Sequence, residues 1–289
     1  MSDAAYFAKD ALSQSGAKLL LRSPMQYRHD RANPQSPTPA MRLGTLVHAL
    51  VLEPATVAGT FAVSPDLSGL CDDKGKPYAD PGKSNAGKAI MAQFKADNPG
   101  KAVVSADDMA MAQAMADAAL AAVHPTLGLD LRDLLALKSA KVEFEVYWQD
   151  ADTGCDCKAK LDAVVTLADG SVLAIDLKTT TGDLTTAALS RTVANYGYHL
   201  QGAAYLGALA QGGVCDAEFW IIWVAGKAPH EVAWTKLAGN ALTIGAQHWA
   251  AAQRIYAACA KSGNWPSAQE CGLVATELDV PRWADNALD

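Results

Sequence analysis

Asp162, Asp176 and Lys178 lie in two neighbouring segments whose residues alternate between apolar and polar. Alternate residues of a strand share a face, so Asp176 and Lys178 point the same way. Leu177 between them points to the opposite, apolar face with Ile175 and Leu173. On the preceding segment Asp162, Lys160 and Lys158 share a face, with Leu161 and Ala163 opposite. Pairing the segments across a hairpin brings Asp162 beside Asp176. Two carboxylates about 4 Å apart repel by roughly 4 kcal/mol at an effective dielectric near 20. A divalent cation between them turns that repulsion into attraction. Such an ion polarises a phosphoryl oxygen and helps to ionise a water, while a neighbouring lysine orients that water and stabilises developing charge. The combination suits hydrolysis of phosphodiesters. Thr179, Thr180, Thr181 and Gly182 follow directly and offer hydroxyls and backbone N–H groups where a phosphate can sit. Asp-x-Lys is common, however, and a surface strand with solvated acids and lysines is the alternative reading.

The elements that must position these residues are legible from periodicity. Val142, Phe144 and Val146 alternate with Glu143, Glu145 and Tyr147, Asp152-Thr153-Gly154 forms a turn, and Cys155 to Val165 alternates again. Asp169-Gly170 is a hairpin signal leading into Val172 to Leu177. The three segments predict an antiparallel meander. Upstream, Ser13 or Ser15 caps a short helix through Leu21, and Ser23-Pro24 starts another near Met25. A proline-rich linker spans Asn33 to Pro39, an amphipathic helix runs from about Ala40 to Leu52, and Ser105 caps a helix to about Val123. Residues Asp66 to Lys88 read as a mobile loop, and the residues after His124-Pro125 as a leucine-rich turn. Downstream, a helix is expected from about Leu184 to Ala210. Strands follow over Phe219 to Val224 and Glu231 to Thr235, then a long helix from Gly239 to Ala260.

With 289 residues, half of them hydrophobic and 19% charged, the chain can build a large packed domain. The longest apolar run, Phe219 to Ala225, is too short for a bilayer span, and the first residues lack a secretory signal, so no membrane partner is expected. Six cysteines in a chain this long do not suggest a disulfide framework, which makes a reducing cytoplasm the expected compartment. The formal net charge of -7 argues against a protein that grips DNA with its whole surface. It does not argue against an enzyme with a local basic channel.

The order His48, Glu143, Asp162, Asp176-x-Lys178, Gln201-x-x-x-Tyr205 resembles the PD-(D/E)XK nuclease superfamily, most closely the branch of the RecE-type exonuclease domain and, more distantly, lambda exonuclease and the RecB-like nucleases. Thr153 to Asp162 followed by Ile175 to Thr180 resembles the family core, and Tyr198 to Tyr205 its following helix. Ser15 to Pro24, a Ser-Gly-x-Lys-x-x-x-x-Ser-Pro stretch, and Gly44 to His48 extend the likeness over about residues 13–205. The resemblance implies an α/β restriction-endonuclease-like fold: a central mixed sheet with an antiparallel meander, flanked by helices. It implies one domain over 1–289, helical over about 1–125 and with a catalytic core over about 138–260. His48, Asp162, Asp176 and the Leu177 carbonyl would hold Mg²⁺ or Mn²⁺, and Lys178 would be the catalytic lysine. Glu143 would help to hold a second metal or a water, and Gln201 and Tyr205 would support the site or contact DNA. Gly44 and His48, like Gln201 and Tyr205, are four residues apart and so share a helical face. Imidazole, carboxylates and a carbonyl form a donor set that suits an octahedral Mg²⁺ or Mn²⁺ ion.

The chain departs from the pattern in two places. Leu161 stands where proline usually precedes the first aspartate, and Lys158 and Lys160 stand where arginines are expected. A bidentate phosphate grip thereby becomes a point-charge one. The activity implied is a 5′-to-3′ exonuclease on linear double-stranded DNA, assembled as a ring-shaped trimer or tetramer and working beside a single-strand annealing recombinase. A structure-specific endonuclease such as a junction resolvase, and a non-catalytic binding module, are the alternatives.

Other candidates have plainer readings. Cys155-x-Cys157 is poor spacing for a metal, and no Cys-x-x-Cys is present. His199 reads as structural, and Trp220, Trp223 and Trp234 as core. Lys74, Lys76, Lys83 and Lys88 read equally well as phosphate contacts and as a solvated loop.

Overall fold

A computed structural model describes residues 3–277 of the chain. Its elements are α1 (Asp3–Ala8), α2 (Gln14–Leu20), α3 (Pro24–Ala32), α4 (Pro39–Leu52), α5 (Val57–Thr60), β1 (Phe61–Val63), α6 (Asn85–Asp97), β2 (Ala102–Val104), α7 (Ala106–Leu120) and α8 (Leu131–Ala136). They continue with β3 (Lys141–Gln149), β4 (Asp156–Thr166), β5 (Val172–Thr180), α9 (Thr186–Tyr196), α10 (Tyr198–Gln211), β6 (Ala217–Ala225), β7 (Val232–Lys236) and α11 (Gly239–Ser262). Short polar side chains start many of the helices. Ser13, Ser23, Thr38, Ser84, Ser105 and Asp130 each accept a backbone N–H from the first turn that has no partner within the helix.

The main sheet has the order β3-β4-β5-β6-β7, antiparallel except for the parallel pair β5 and β6. It is a mixed sheet covered by helices on both faces. On one face Leu173, Ile175, Leu177, Ile222 and Val224 pack against Leu46, Val47 and Val51 of α4 and Met115 and Ala116 of α7. On the other, Val172, Ala174, Ile221 and Trp223 pack against Leu189 of α9 and Tyr205, Ala208 and Leu209 of α10. A third cluster joins Leu20 of α2 and Tyr27 of α3 to Trp249 and Ala252 of α11, over Cys155 and Cys157. Trp223 and both of these cysteines are buried core residues.

The fold differs from the sequence expectation at several points. The stretch expected to be a loop up to Lys88 already contains the start of α6, and β1 and β2 form a small parallel sheet around it. Gly87 is part of the reason for that misreading. A Cβ there would lie 2.0 Å from the Pro81 carbonyl oxygen, so glycine serves close packing rather than a turn. The helix expected over 184–210 is two helices, because Gly197 adopts φ +64° between α9 and α10. The leucine-rich turn holds α8. Finally, Leu161 and Ala163 do not share one apolar surface: Leu161 packs on the α10 side and Ala163 on the α4 side.

Candidate active site

The change of face along β4 occurs at Asp162. Against β3 the register runs Val142 opposite Ala163 and Phe144 opposite Leu161, and the intervening pair, Glu143 and Asp162, is missing from the ladder. Against β5 the ladder stops at Ala163 opposite Ile175, one pair short of Asp162 and Asp176. β4 therefore parts from both neighbours at the same residue. Glu143 adopts φ +49°, a strained conformation for a residue with a Cβ, in the middle of a strand. The Leu177 N–H, which lacks a strand partner on that side, donates to Asp162 Oδ2 at 2.8 Å.

α4 brings His48 across the end of β5. The Cβ position of Gly44 is 3.4 Å from Thr179 Oγ1, so a small residue one turn before His48 lets the helix lie close to the strand. His48 Nε2 donates to the Leu177 carbonyl at 2.7 Å, which leaves Nδ1 with a lone pair facing Asp162 Oδ2 at 3.5 Å. Two acceptors face each other there, and a proton or a cation is needed between them. Donor atoms of His48, Glu143 and Asp162 all lie within 4.8 Å of one another.

Burial pushes the Asp162 carboxyl above its ordinary range; His48 opposes this and Asp176 reinforces it. Burial likewise raises Glu143, against the pull of Lys160, whose ammonium lies 2.5 Å from Glu143 Oε2. Two acids whose burial disfavours their charge thus face an imidazole nitrogen in a small volume, and an ion with oxygen and nitrogen ligands offsets that burial. The donor set fits Mg²⁺ or Mn²⁺.

Asp176 occupies a different position from the one expected. It is completely buried, its Oδ1 accepts from Gln201 Nε2 at 2.6 Å, and its Oδ2 lies 2.5 Å from Lys178 Nζ. It does not join the three-residue group, and Oδ2 accepts no well-aligned hydrogen bond. A buried carboxylate oxygen left in that state retains coordination capacity. Burial disfavours the Lys178 ammonium, but Asp176 and Asp162 outweigh it and hold its pKa above the ordinary lysine value. Lys178 is therefore a cation, 18% exposed, at the mouth of the cluster.

The remaining sequence candidates divide. Gln201 supports Asp176 directly. Tyr205, expected as a support or DNA contact, is buried and packs edge-on against Phe219, so it cannot touch DNA. Lys158, expected as a DNA contact, is 2% exposed and donates to the carbonyls of Tyr6 and Lys9, each at 2.7 Å, so α1 and the residues after it seal it in. Lys160 turns to Glu143. Thr180 Oγ1 accepts the Gly182 N–H, and Thr180 lines a cleft of about 550 Å³ with Thr181, Asp183, Lys227 and Glu231 beyond the end of β5.

Sequence reasoning gave no role to Lys18 or Tyr198. Lys18 and Lys178 each place Nζ 5.1 Å from the centre of the Tyr198 ring. Lys18 lies over Gly197, where a Cβ would come within 3.3 Å of its side chain. Burial, helped by the charge of Lys178 and opposed by Asp176, pushes the Lys18 ammonium down to about 7. The signal available was its place in the Ser-Gly-x-Lys stretch, one turn into a capped helix.

Comparison with known proteins agrees with this architecture. Residues 13–277 match the model of the family described as "PDDEXK-like domain of unknown function (DUF3799)". No curated protein matches the sequence. Among solved structures, the chain is similar to a protein from Eubacterium rectale described as a "putative exonuclease", with a TM-score of 0.56 and 14% identity over 99% of this chain and 98% of that one. At that identity the likeness is one of fold. A second structure, that of SSO0001, is more remote, with a TM-score of 0.36 and 12% identity over 89% of this chain and 79% of that one.

Proposed function

The chain belongs to the PDDEXK-like family, and from that premise we propose that it is a metal-dependent deoxyribonuclease that hydrolyses phosphodiester bonds. One observation carries the reading: His48, Glu143 and Asp162 converge within 4.8 Å at the point where β4 parts from both neighbours, beside a lysine held by a buried aspartate. Asp162, Glu143 and His48 would hold the metal, which would supply Lewis-acid polarisation of the phosphate and acidification of water.

The chain's own residues do the rest. Asp176, fixed by Gln201, aims the Lys178 ammonium. Its raised pKa keeps that ammonium protonated, so it stabilises the negative charge that builds on the phosphate oxygens and orients the attacking water. Asp162, tied to the Leu177 N–H, stays in place when the substrate arrives.

Within this class the reading that fits the sequence resemblance best is a 5′-to-3′ exonuclease on linear double-stranded DNA. The further proposals are a ring-shaped homo-oligomer with an acidic exterior and basic lumen, and a strand-annealing recombinase as partner in phage-type recombination. The exonuclease description of the Eubacterium rectale protein is consistent with the activity. A labelled linear duplex should be digested with Mg²⁺ or Mn²⁺ and spared in EDTA, and Lys178→Ala should slow digestion by about 10²–10⁴-fold. Cleavage of closed circles would instead identify an endonuclease. Undiminished activity in Lys178→Ala would overturn the hydrolytic assignment.

A further inference from the structure

Tyr196 and Tyr198 bracket the glycine that separates α9 from α10. Their rings stack at 5.8 Å between centres and 17° between planes. Tyr198 rests on Trp223 on its inner side and meets both Lys178 and Lys18 at 5.1 Å. Lys178, Tyr198 and Tyr196 therefore form a row that leads outward from the metal cluster, and its last ring is 63% exposed. Arg22, just beyond the end of α2, donates to the carbonyl of Asn195, the residue before Tyr196. Among the described residues, neither Lys18 nor Arg22 pairs with a carboxylate, in a chain whose net charge is -7. An aromatic shelf edged by basic Lys18 and Arg22, neither paired with a carboxylate, and ending at a lysine suited to a phosphate, matches what an unpaired nucleotide presents: a flat base and a charged backbone. An apolar partner would not call for the basic side chains, and an acidic peptide would not call for the stacked rings.

We propose that Tyr196 is a stacking platform for the base of an unpaired nucleotide beside the scissile phosphate, with Lys18 and Arg22 meeting the flanking backbone. The identity of the neighbouring phosphate rests on the nuclease reading above; the stacking itself does not. The site favours DNA ends whose terminal nucleotides are unpaired over fully paired ends.

The test uses the full-length protein and a duplex with a three-nucleotide single-stranded end that carries 2-aminopurine. In EDTA, binding to the wild type should quench the fluorophore at least about twofold. Tyr196→Ala should abolish the quench and Tyr196→Phe should keep it. In Mg²⁺, Tyr196→Ala should raise KM for this duplex by about 5- to 100-fold, the range that one base–aromatic stack supports, with kcat unchanged. No quench in the wild type, or the same quench and KM in Tyr196→Ala, would overturn the shelf. Because the fluorescence needs no cleavage, quenching without any digestion would refute the nuclease reading and leave the shelf standing. Digestion with no effect of Tyr196→Ala would do the reverse.

Discussion

The two ends of β4 hold lysines and acids in opposite electrostatic conditions. At its start, Lys158 is buried, yet its ammonium is satisfied by two carbonyls and lies 4.7 Å from the Tyr6 ring. Four residues before its end, at Asp162, the strand skips a pair with β3 and falls one pair short of the β5 ladder, and it places a carboxylate and a glutamate around an imidazole nitrogen. The first site has as many acceptors as it needs; at the second, Asp162 Oδ2 and His48 Nδ1 face each other with no donor between them. Excess acceptors without a cation destabilise the folded state, whereas satisfied ones stabilise it. A region that retains such an arrangement does so for chemistry, and the contrast separates a structural lysine from a catalytic one better than sequence spacing does.

Removing an acceptor from the second site is the strongest way to break the comparison. Asp162→Asn keeps an oxygen for the Leu177 N–H and removes the negative charge that faces His48 Nδ1. Cleavage should fall by about 10³-fold or more. The metal-free protein should unfold at a temperature no lower than wild type and up to about 2 °C higher, a gain on the order of 1 kcal/mol. Calorimetry in EDTA measures this, and clear destabilisation would mean that the acids are structural.

Lys158→Met should show the mirror image. Two carbonyls lose their donor, and stability should drop by about 2–4 kcal/mol in urea unfolding, with the cleavage rate per folded molecule within about threefold of wild type. Loss of binding to DNA without loss of stability would restore Lys158 as a substrate contact.

The smallest effect concerns pH. Burial raises the carboxyl pKa of Asp162, so between its unfolded and folded values the native state binds more protons than the unfolded chain. Its contribution is present below about pH 4 and is lost as pH rises through the folded value. In EDTA, the stability of wild type relative to Asp162→Asn should therefore decline with rising pH from about 4 upward. Saturating Mn²⁺ should abolish or reverse that decline, because the ligands must be ionised.

The meander and the shared face of Asp176 and Lys178 were readable because a period of two is local. His48 was readable only through the family order of motifs, since its approach to Leu177 spans 129 residues and depends on how α4 crosses the sheet. The burial of Lys158 was not readable at all, because the carbonyls that hold it belong to residues 6 and 9, far away in sequence and without pattern. The departure of Asp176 from the metal group has the same cause: its partners, Gln201 and Lys178, were both named, but spacing does not say which oxygen each takes.

Hydrolysis by this chain requires His48, Glu143 and Asp162 to form one ion site beside Lys178. Anomalous diffraction from crystals soaked in Mn²⁺ tests this directly. The expected result is a peak about 2.0–2.3 Å from oxygens of Asp162 and from an imidazole nitrogen of His48. A peak elsewhere, or none in this cluster at saturating Mn²⁺, would contradict it.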